Sequence, residues 1–187
     1  MNGKILIIGG AGYIGTVLSN YLMKKNYKVI CLDNFLYENF FSLNNIKQNK
    51  NFELINGDLR NTEKLNKIIE EVDSVVILGG LVGDPITKKY PKLSTEINDN
   101  GTVDLINICE KKKLEKTIFV STCSNYGLSE SDKLLNESDE LKPISLYAKQ
   151  KVKIEKHILS FKDSFNFHPT ILRFATAFGL SPRMRYD

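Results

Sequence analysis

The sequence predicts an α/β fold, a doubly wound parallel sheet in three layers (α/β/α), and three observations predict it. Six short apolar runs recur along the 187 residues, helical patterns separate them, and a glycine-rich turn follows the first run. The runs are apolar almost without a break, as in strands buried on both faces, and do not alternate as half-exposed strands do. Strands that alternate with helices pair in parallel through right-handed crossovers, which places helices on both faces.

The first strand is KILII (4–8), and the turn GGAGYIG (9–15) carries it into a helix over 13–26. KVICLD (28–33) is the second strand. The stretch YENFFSLNNIKQNKN (37–51) is rich in asparagine, yet too short and too aromatic for a disordered segment. FELING (52–57) is the third strand, and NTEKLNKIIEEV (61–72) follows as a helix. Asn61 can cap that helix, with Lys64 where a capping box would place Glu. SVVILG (74–79), KTIFVS (116–121) and TILRF (170–174) are the remaining strands, and helices are expected over 93–112 and 145–162. Neither a repeat nor a low-complexity segment interrupts the pattern, so one domain over 1–187 is expected.

Composition narrows the function classes. Apolar residues make up 42% and charged residues 26%, the balance of an ordinary globular chain. No apolar run approaches the ~18 residues that span a bilayer. The N-terminus enters a strand pattern without a leader, so a cytoplasmic protein with no membrane partner is expected. The formal charge of +4 is modest. The densest basic stretch, EKKKLEK (110–116), is interleaved with glutamate at a helix end, where lysines suit the negative end of the dipole. A solvated helix end is expected there, and no nucleic-acid partner. Cys31 and Cys109 fall in apolar patterns as small core residues. His157 and His168 form no familiar ligand spacing with the cysteines, so no metal is expected.

The chemistry starts at the turn. Gly9, Gly12 and Gly15 sit between a strand and a helix, where one glycine permits the tight turn and another lets backbone amides approach a pyrophosphate. The last lets the helix pack closely on the sheet, and Ile14 already faces the core. In this setting the motif is a dinucleotide-binding signature of the Rossmann type. The second strand ends in Asp33-Asn34, where a carboxylate accepts from both hydroxyls of the adenosine ribose. It repels a 2′-phosphate and has no Arg or Lys beside it in the chain, so NAD is expected over NADP. Asp58 ends the third strand, either toward adenine or as a turn residue.

Tyr147 and Lys151 are four apart on a helix, hence one turn apart on one face. A tyrosine of pKa about 10 is a poor base near neutrality. A nearby ammonium favours the phenolate, which can then take a proton from a substrate hydroxyl. The fifth strand runs into STCSNYG, which brings Thr122, Cys123 and Ser124 to its carboxyl end, where ligands of such sheets bind. Cys123 as a nucleophile has no His close in the chain to activate it.

Together these residues resemble the extended short-chain dehydrogenase/reductase family, in its branch of NAD-dependent sugar-nucleotide epimerases and dehydratases. GGAGYIG, LDN, GDLR, NDNGT, STCSNYG, YAKQK and ILRFATAFG occur in that family's order across essentially the whole chain. The resemblance implies an epimerase or oxidoreductase acting on a hydroxyl of a nucleotide sugar. It implies that Gly9, Gly12 and Gly15, with Tyr13 and Ile14, hold the pyrophosphate of NAD. Asp33 and Asn34 would meet the adenosine ribose, Asp58 and Leu59 would flank adenine, and Leu78, Gly79 and Gly80 would line the cofactor. Asn98 would be the active-site asparagine and Thr122 the catalytic hydroxyl. Tyr147 would be the base, and Lys151 the residue on the nicotinamide ribose. Asp84, Cys123, Ser124 and Thr176 would face the sugar, although Asp84 can equally serve a turn before Pro85.

The 4,6-dehydratases of that family carry an Asp-Glu pair directly after the threonine, where this chain has Cys123 and Ser124. Dehydration by that route is therefore not expected. The chain stops at SPRMRYD, where family members enter a small substrate-binding domain, so either the sequence is a fragment or the protein lacks that domain, which is expected to be absent or truncated here. Arg183 and Arg185 could contact a diphosphate there or belong to an exposed tail. The competing reading is a non-catalytic NAD-binding module or sensor. A homodimer through 93–112 and 145–162 is a further expectation.

Overall fold

The computed structural model describes residues 2–114, 116–128, 134–164 and 166–184. Six strands form one parallel sheet: β1 (Lys4–Ile8), β2 (Lys28–Asp33), β3 (Phe52–Asn56), β4 (Ser74–Ile77), β5 (Lys116–Thr122) and β6 (Thr170–Phe174). Their order across the sheet is β3-β2-β1-β4-β5-β6. The order reverses between β1 and β4, and that reversal opens a crevice at the strands' carboxyl ends.

The two cores explain why β1, β2 and β4 carry so few polar residues. The edge strands β3 and β6 are half-buried or exposed and β5 alternates, so burial on both faces, expected of every strand, holds only for the centre of the sheet. Alternate side chains of a strand point to opposite faces. On β1, Leu6 and Ile8 join Ile30, Leu32, Val75 and Ile77 in one core, together with Leu105 and Ile154. Ile5 and Ile7 join Val29, Cys31 and Val76 in the other, together with Met23 and Leu43. Both faces of β1 are buried, so every position from Ile5 to Ile8 is apolar.

The helices are α1 (Tyr13–Lys24), α2 (Thr62–Ile69), α3 (Asp84–Lys89), α4 (Pro91–Ser94), α5 (Thr102–Lys111) and α6 (Leu146–Leu159). Asn61 caps α2 as expected, accepting the Lys64 amide at 2.9 Å. The single helix expected over 93–112 is instead α4, a π-turn over Thr95–Gly101, and α5. The cause lies outside the helix. Asn98 sits in the π-turn with its side chain bonded to both backbone groups of Leu81, and π-turns of this kind gather at functional sites. Besides a 3₁₀ turn over Cys123–Tyr126, two further elements are not expected from the sequence. One is α3, which opens at Asp84-Pro85; the other is a 3₁₀ turn over Phe40–Leu43. That turn folds because Phe40 stacks on Phe35, ring centres 3.9 Å apart, while Leu43 and Ile46 are buried.

Cys31 and Cys109 are buried, and burial pushes both thiols up to about 12, so they stay protonated core residues. Among the described residues no helix is long and apolar enough to cross a membrane.

Candidate functional site

Glycine is required where β1 ends. Gly9 has φ 77°, and a Cβ there would lie 2.6 Å from the Gly79 Cα just after β4. At Gly15 a Cβ would lie 2.6 Å from the Gly9 carbonyl oxygen and 2.7 Å from the Gly10 Cα. The loop therefore closes on itself and on β4 only without side chains. Helix α1 then starts with no side-chain cap and no acidic residue in its first turn. Its amide end, with the positive pole of the dipole, is left to an anion.

Neighbouring side chains hold this loop. Asp33 accepts the Ala11 amide at 3.0 Å and the Phe35 amide at 2.9 Å, one on each carboxylate oxygen. The Asn39 amide group and the Ser42 hydroxyl both donate to the Ala11 carbonyl, at 2.6 and 2.9 Å. Burial raises the Asp33 carboxyl above its ordinary value, opposed by those two backbone amides and by the charge of Arg183. The absence of a cation beside Asp33 thus holds only for its chain neighbours. The fold brings Arg183 to it.

A cavity of about 890 Å³ occupies the crevice. Gly9, Gly12, Tyr13, Ile14 and Gly15 line it, with Asp33, Asn34 and Leu59 toward β2 and β3, and Leu78, Gly79 and Gly80 after β4. Thr122, Tyr147, Lys151 and Thr176 line the same cavity. Residues more than 130 positions apart in the chain, such as Gly9 and Tyr147, therefore share one space.

Lys151 is only 8% exposed; its ammonium donates to the Val120 carbonyl at 2.8 Å and lies 4.5 Å from the Phe119 ring centre. The Tyr147 ring centre is 5.7 Å from the same nitrogen. Burial pulls the lysine down to about 8, and the nearby Glu155 charge opposes that. Thr122 accepts the Ser124 amide and donates to the Ser124 hydroxyl, both at 3.2 Å.

Other expected site residues lie outside the cavity lining. Asp58 is held by Arg60 and by the Asn34 amide group, and the Arg60 hydrogen bonds bring its carboxyl down to about 2. Asn98 is buried and engaged with Leu81, Gln150 and Ser94, so it fixes the loop that follows β4. Asp84 opens α3, where its neighbours Pro85 and Ile86 line the cavity instead. Cys123 and Ser124 are exposed on a 3₁₀ turn (Cys123–Tyr126) and are not among the lining residues. Arg185 lies outside the described residues.

Sequence reasoning missed a buried carboxylate beneath the reactive end. Glu155, 1% exposed, accepts Ser121 at 2.5 Å, Asn125 at 2.7 Å and the Arg173 guanidinium at 2.7 Å. It ties the end of β5 and the start of the next turn to α6, on either side of Thr122. The available signal was its spacing, four after Lys151 and eight after Tyr147, on one helical face.

The pattern that defines the NAD dependent epimerase/dehydratase family matches residues 5–186. A dTDP-D-glucose 4,6-dehydratase of Dictyostelium discoideum is 34% identical over 191 residues, covering 94% of this chain and 44% of that protein. An uncharacterized UDP-glucose epimerase of Bacillus subtilis (strain 168), YtcB, is 33% identical, covering 98% of this chain and 59% of its own. Among solved structures, a UDP-glucuronic acid 4-epimerase from Bacillus cereus in complex with NAD superposes with a TM-score of 0.85 at 29% identity. That match covers 96% of this chain and 58% of the other. The chain spans about half the length of the relatives it matches.

Proposed function

The chain belongs to the NAD dependent epimerase/dehydratase family, and from that membership we propose that it binds NAD and oxidises a hydroxyl of a nucleotide sugar. The observation that carries the reading is that Thr122, Tyr147 and Lys151 line the same cavity as the glycine loop. The loop fits the cofactor for a physical reason: without Cβ atoms at Gly9 and Gly15 it closes tightly on itself and on the segment after β4, and the first turn of α1 carries no competing acid.

Gly12 to Gly15 would hold the pyrophosphate against the amide end of α1. Asp33 would accept from the adenosine ribose. Bound NAD supplies a hydride acceptor. Tyr147 takes the proton of the sugar hydroxyl, and the Lys151 ammonium, 5.7 Å from its ring centre, favours the phenolate that does so. Thr122 orients the sugar oxygen from the end of β5. Glu155 and Asn98 hold the frame, the first under β5 and the second behind Leu81. The two positions after Thr122 are Cys123 and Ser124, neither of which supplies the carboxylate that dehydration needs, so the reading is oxidation or epimerisation.

Tyr147→Phe tests the assignment. Turnover of UDP- and dTDP-sugars, followed by NMR of the sugar carbons with NAD present, should fall about 10²- to 10⁴-fold while NADH stays bound. Near-normal turnover in that variant would refute Tyr147 as the base. A wild-type chain that binds NADH yet turns over no sugar would favour the non-catalytic module.

A further inference from the structure

The segment after β6 delivers a cation to the adenosine end of the cavity. It runs back across the start of α1, where the Tyr13 hydroxyl donates to the Gly179 carbonyl at 2.5 Å. The Ser181 hydroxyl donates to the Tyr13 carbonyl at 2.7 Å and lies 3.1 Å from the Thr16 hydroxyl. The same Ser181 oxygen accepts the Arg183 amide at 3.2 Å, so the Arg183 backbone is moored to α1. The guanidinium carbon then sits 5.3 Å from the centre of the Tyr37 ring, within cation–π reach. Arg183, Tyr37 and Asp33 line one cavity.

A carboxylate at the end of β2 ordinarily bars a dinucleotide that carries a phosphate on the adenosine ribose, because two anions meet. Here both Asp33 oxygens already hold backbone amides, one from Ala11 in the glycine loop and one from Phe35 just after β2. An arginine stands opposite, permanently charged, with a planar fork that matches phosphate oxygens. Its stacking on Tyr37 limits the orientations it must give up when it binds.

We propose that Arg183, backed by Tyr37, forms a subsite for a phosphate on the adenosine 2′-oxygen, so that the chain admits NADP beside NAD. The proposal rests on the reading of the cavity as a dinucleotide site, and it names a residue remote in sequence from the β2 end as the one that widens cofactor choice.

The test is binding, on the chain as it stands. NADH and NADPH are titrated by nicotinamide fluorescence, with no tryptophan in the protein to add background. ADP and adenosine 2′,5′-bisphosphate serve as competitors that probe the adenosine end alone. The wild type should bind NADPH within about tenfold of NADH. Arg183→Ala should weaken NADPH and the bisphosphate by about tenfold or more, and NADH and ADP by less than about threefold, as loss of one charge-assisted bond implies. Arg183→Lys keeps the charge without the fork and should fall between.

Equal weakening of all four ligands by Arg183→Ala overturns the proposal, because the arginine would then hold a phosphate common to them. No change in any overturns it too. NADH binding without NADPH binding in the wild type overturns the subsite and leaves the cavity reading standing. Failure of both to bind removes the cavity reading and the subsite with it.

Discussion

Lys151→Met should stabilise the dinucleotide-free protein at neutral pH and erase one step of its pH dependence. In the folded chain the lysine titrates at about 8, against an ordinary 10.5, because its ammonium is buried. At about 1.4 kcal/mol per pH unit, keeping it charged costs the folded state about 3 kcal/mol wherever the pH is below 8. Between about 8 and 10.5 the unfolded chain holds more protons at this position than the folded one, so wild-type stability climbs as the pH rises. Methionine has no proton to exchange and fills a similar volume. It forfeits the bond to the Val120 carbonyl, worth about 1 kcal/mol. The variant should therefore be about 2 kcal/mol more stable at pH 7 and about 1 kcal/mol less stable above pH 10.5. Urea unfolding by circular dichroism at half-unit steps from pH 7 to 10.5, without dinucleotide, measures both proteins. The remaining lysines and tyrosines titrate in both, so the difference between the two curves isolates this group. A difference that stays flat across that range, or a variant weaker at pH 7, would refute the argument that Lys151 is a buried charge.

Gly15→Ala puts a Cβ 2.6 Å from the Gly9 carbonyl, backbone against backbone, and should cost about 1–3 kcal/mol in urea unfolding with a matching loss of NADH affinity by fluorescence. Asn98→Ala orphans the amide and carbonyl of buried Leu81; a loss of about 2–4 kcal/mol is expected by the same unfolding assay. Glu155→Ala strands the Arg173 guanidinium and should cost about 3–5 kcal/mol. Pairing Glu155→Leu with Arg173→Met should recover much of that loss, as thermal unfolding of single and double variants will show.

The parts of this molecule legible in the sequence are those whose causes are local. Burial on both faces writes itself into β1, β2 and β4 as apolar runs, and β1 begins and ends at the expected residues. The glycine loop announces itself because its tight turn and its approach to β4 exclude side chains within seven residues. Tyr147 and Lys151 follow from one helical turn.

What stayed hidden depends on residues meeting from afar. The π-turn at Asn98 exists because a side chain found its partners on Leu81, which no propensity records. Cys123 and Ser124 follow Thr122 in the chain, yet of the three only Thr122 lines the cavity, which chain order alone does not tell. Glu155 needed β5, β6 and α6 assembled before its carboxylate had an occupation. Arg183 lies 150 positions beyond Asp33, and only the return of the chain over α1 sets them together.

Asn39 and Ser42 both commit a donor to one oxygen, that of Ala11. The amide on the other side of the same peptide unit, that of Gly12, is bonded to the Gly9 carbonyl at 3.1 Å. A peptide unit flanked by glycine is ordinarily the easiest in a chain to flip end over end, since no Cβ resists the swing. Here both of its poles are moored, so the flip that would turn a carbonyl lone pair toward an incoming phosphate is blocked before any phosphate arrives. The stiffness of the glycine loop is thus borrowed from a stretch nearly thirty residues further on, and damage to that stretch would present itself as a fault in the loop.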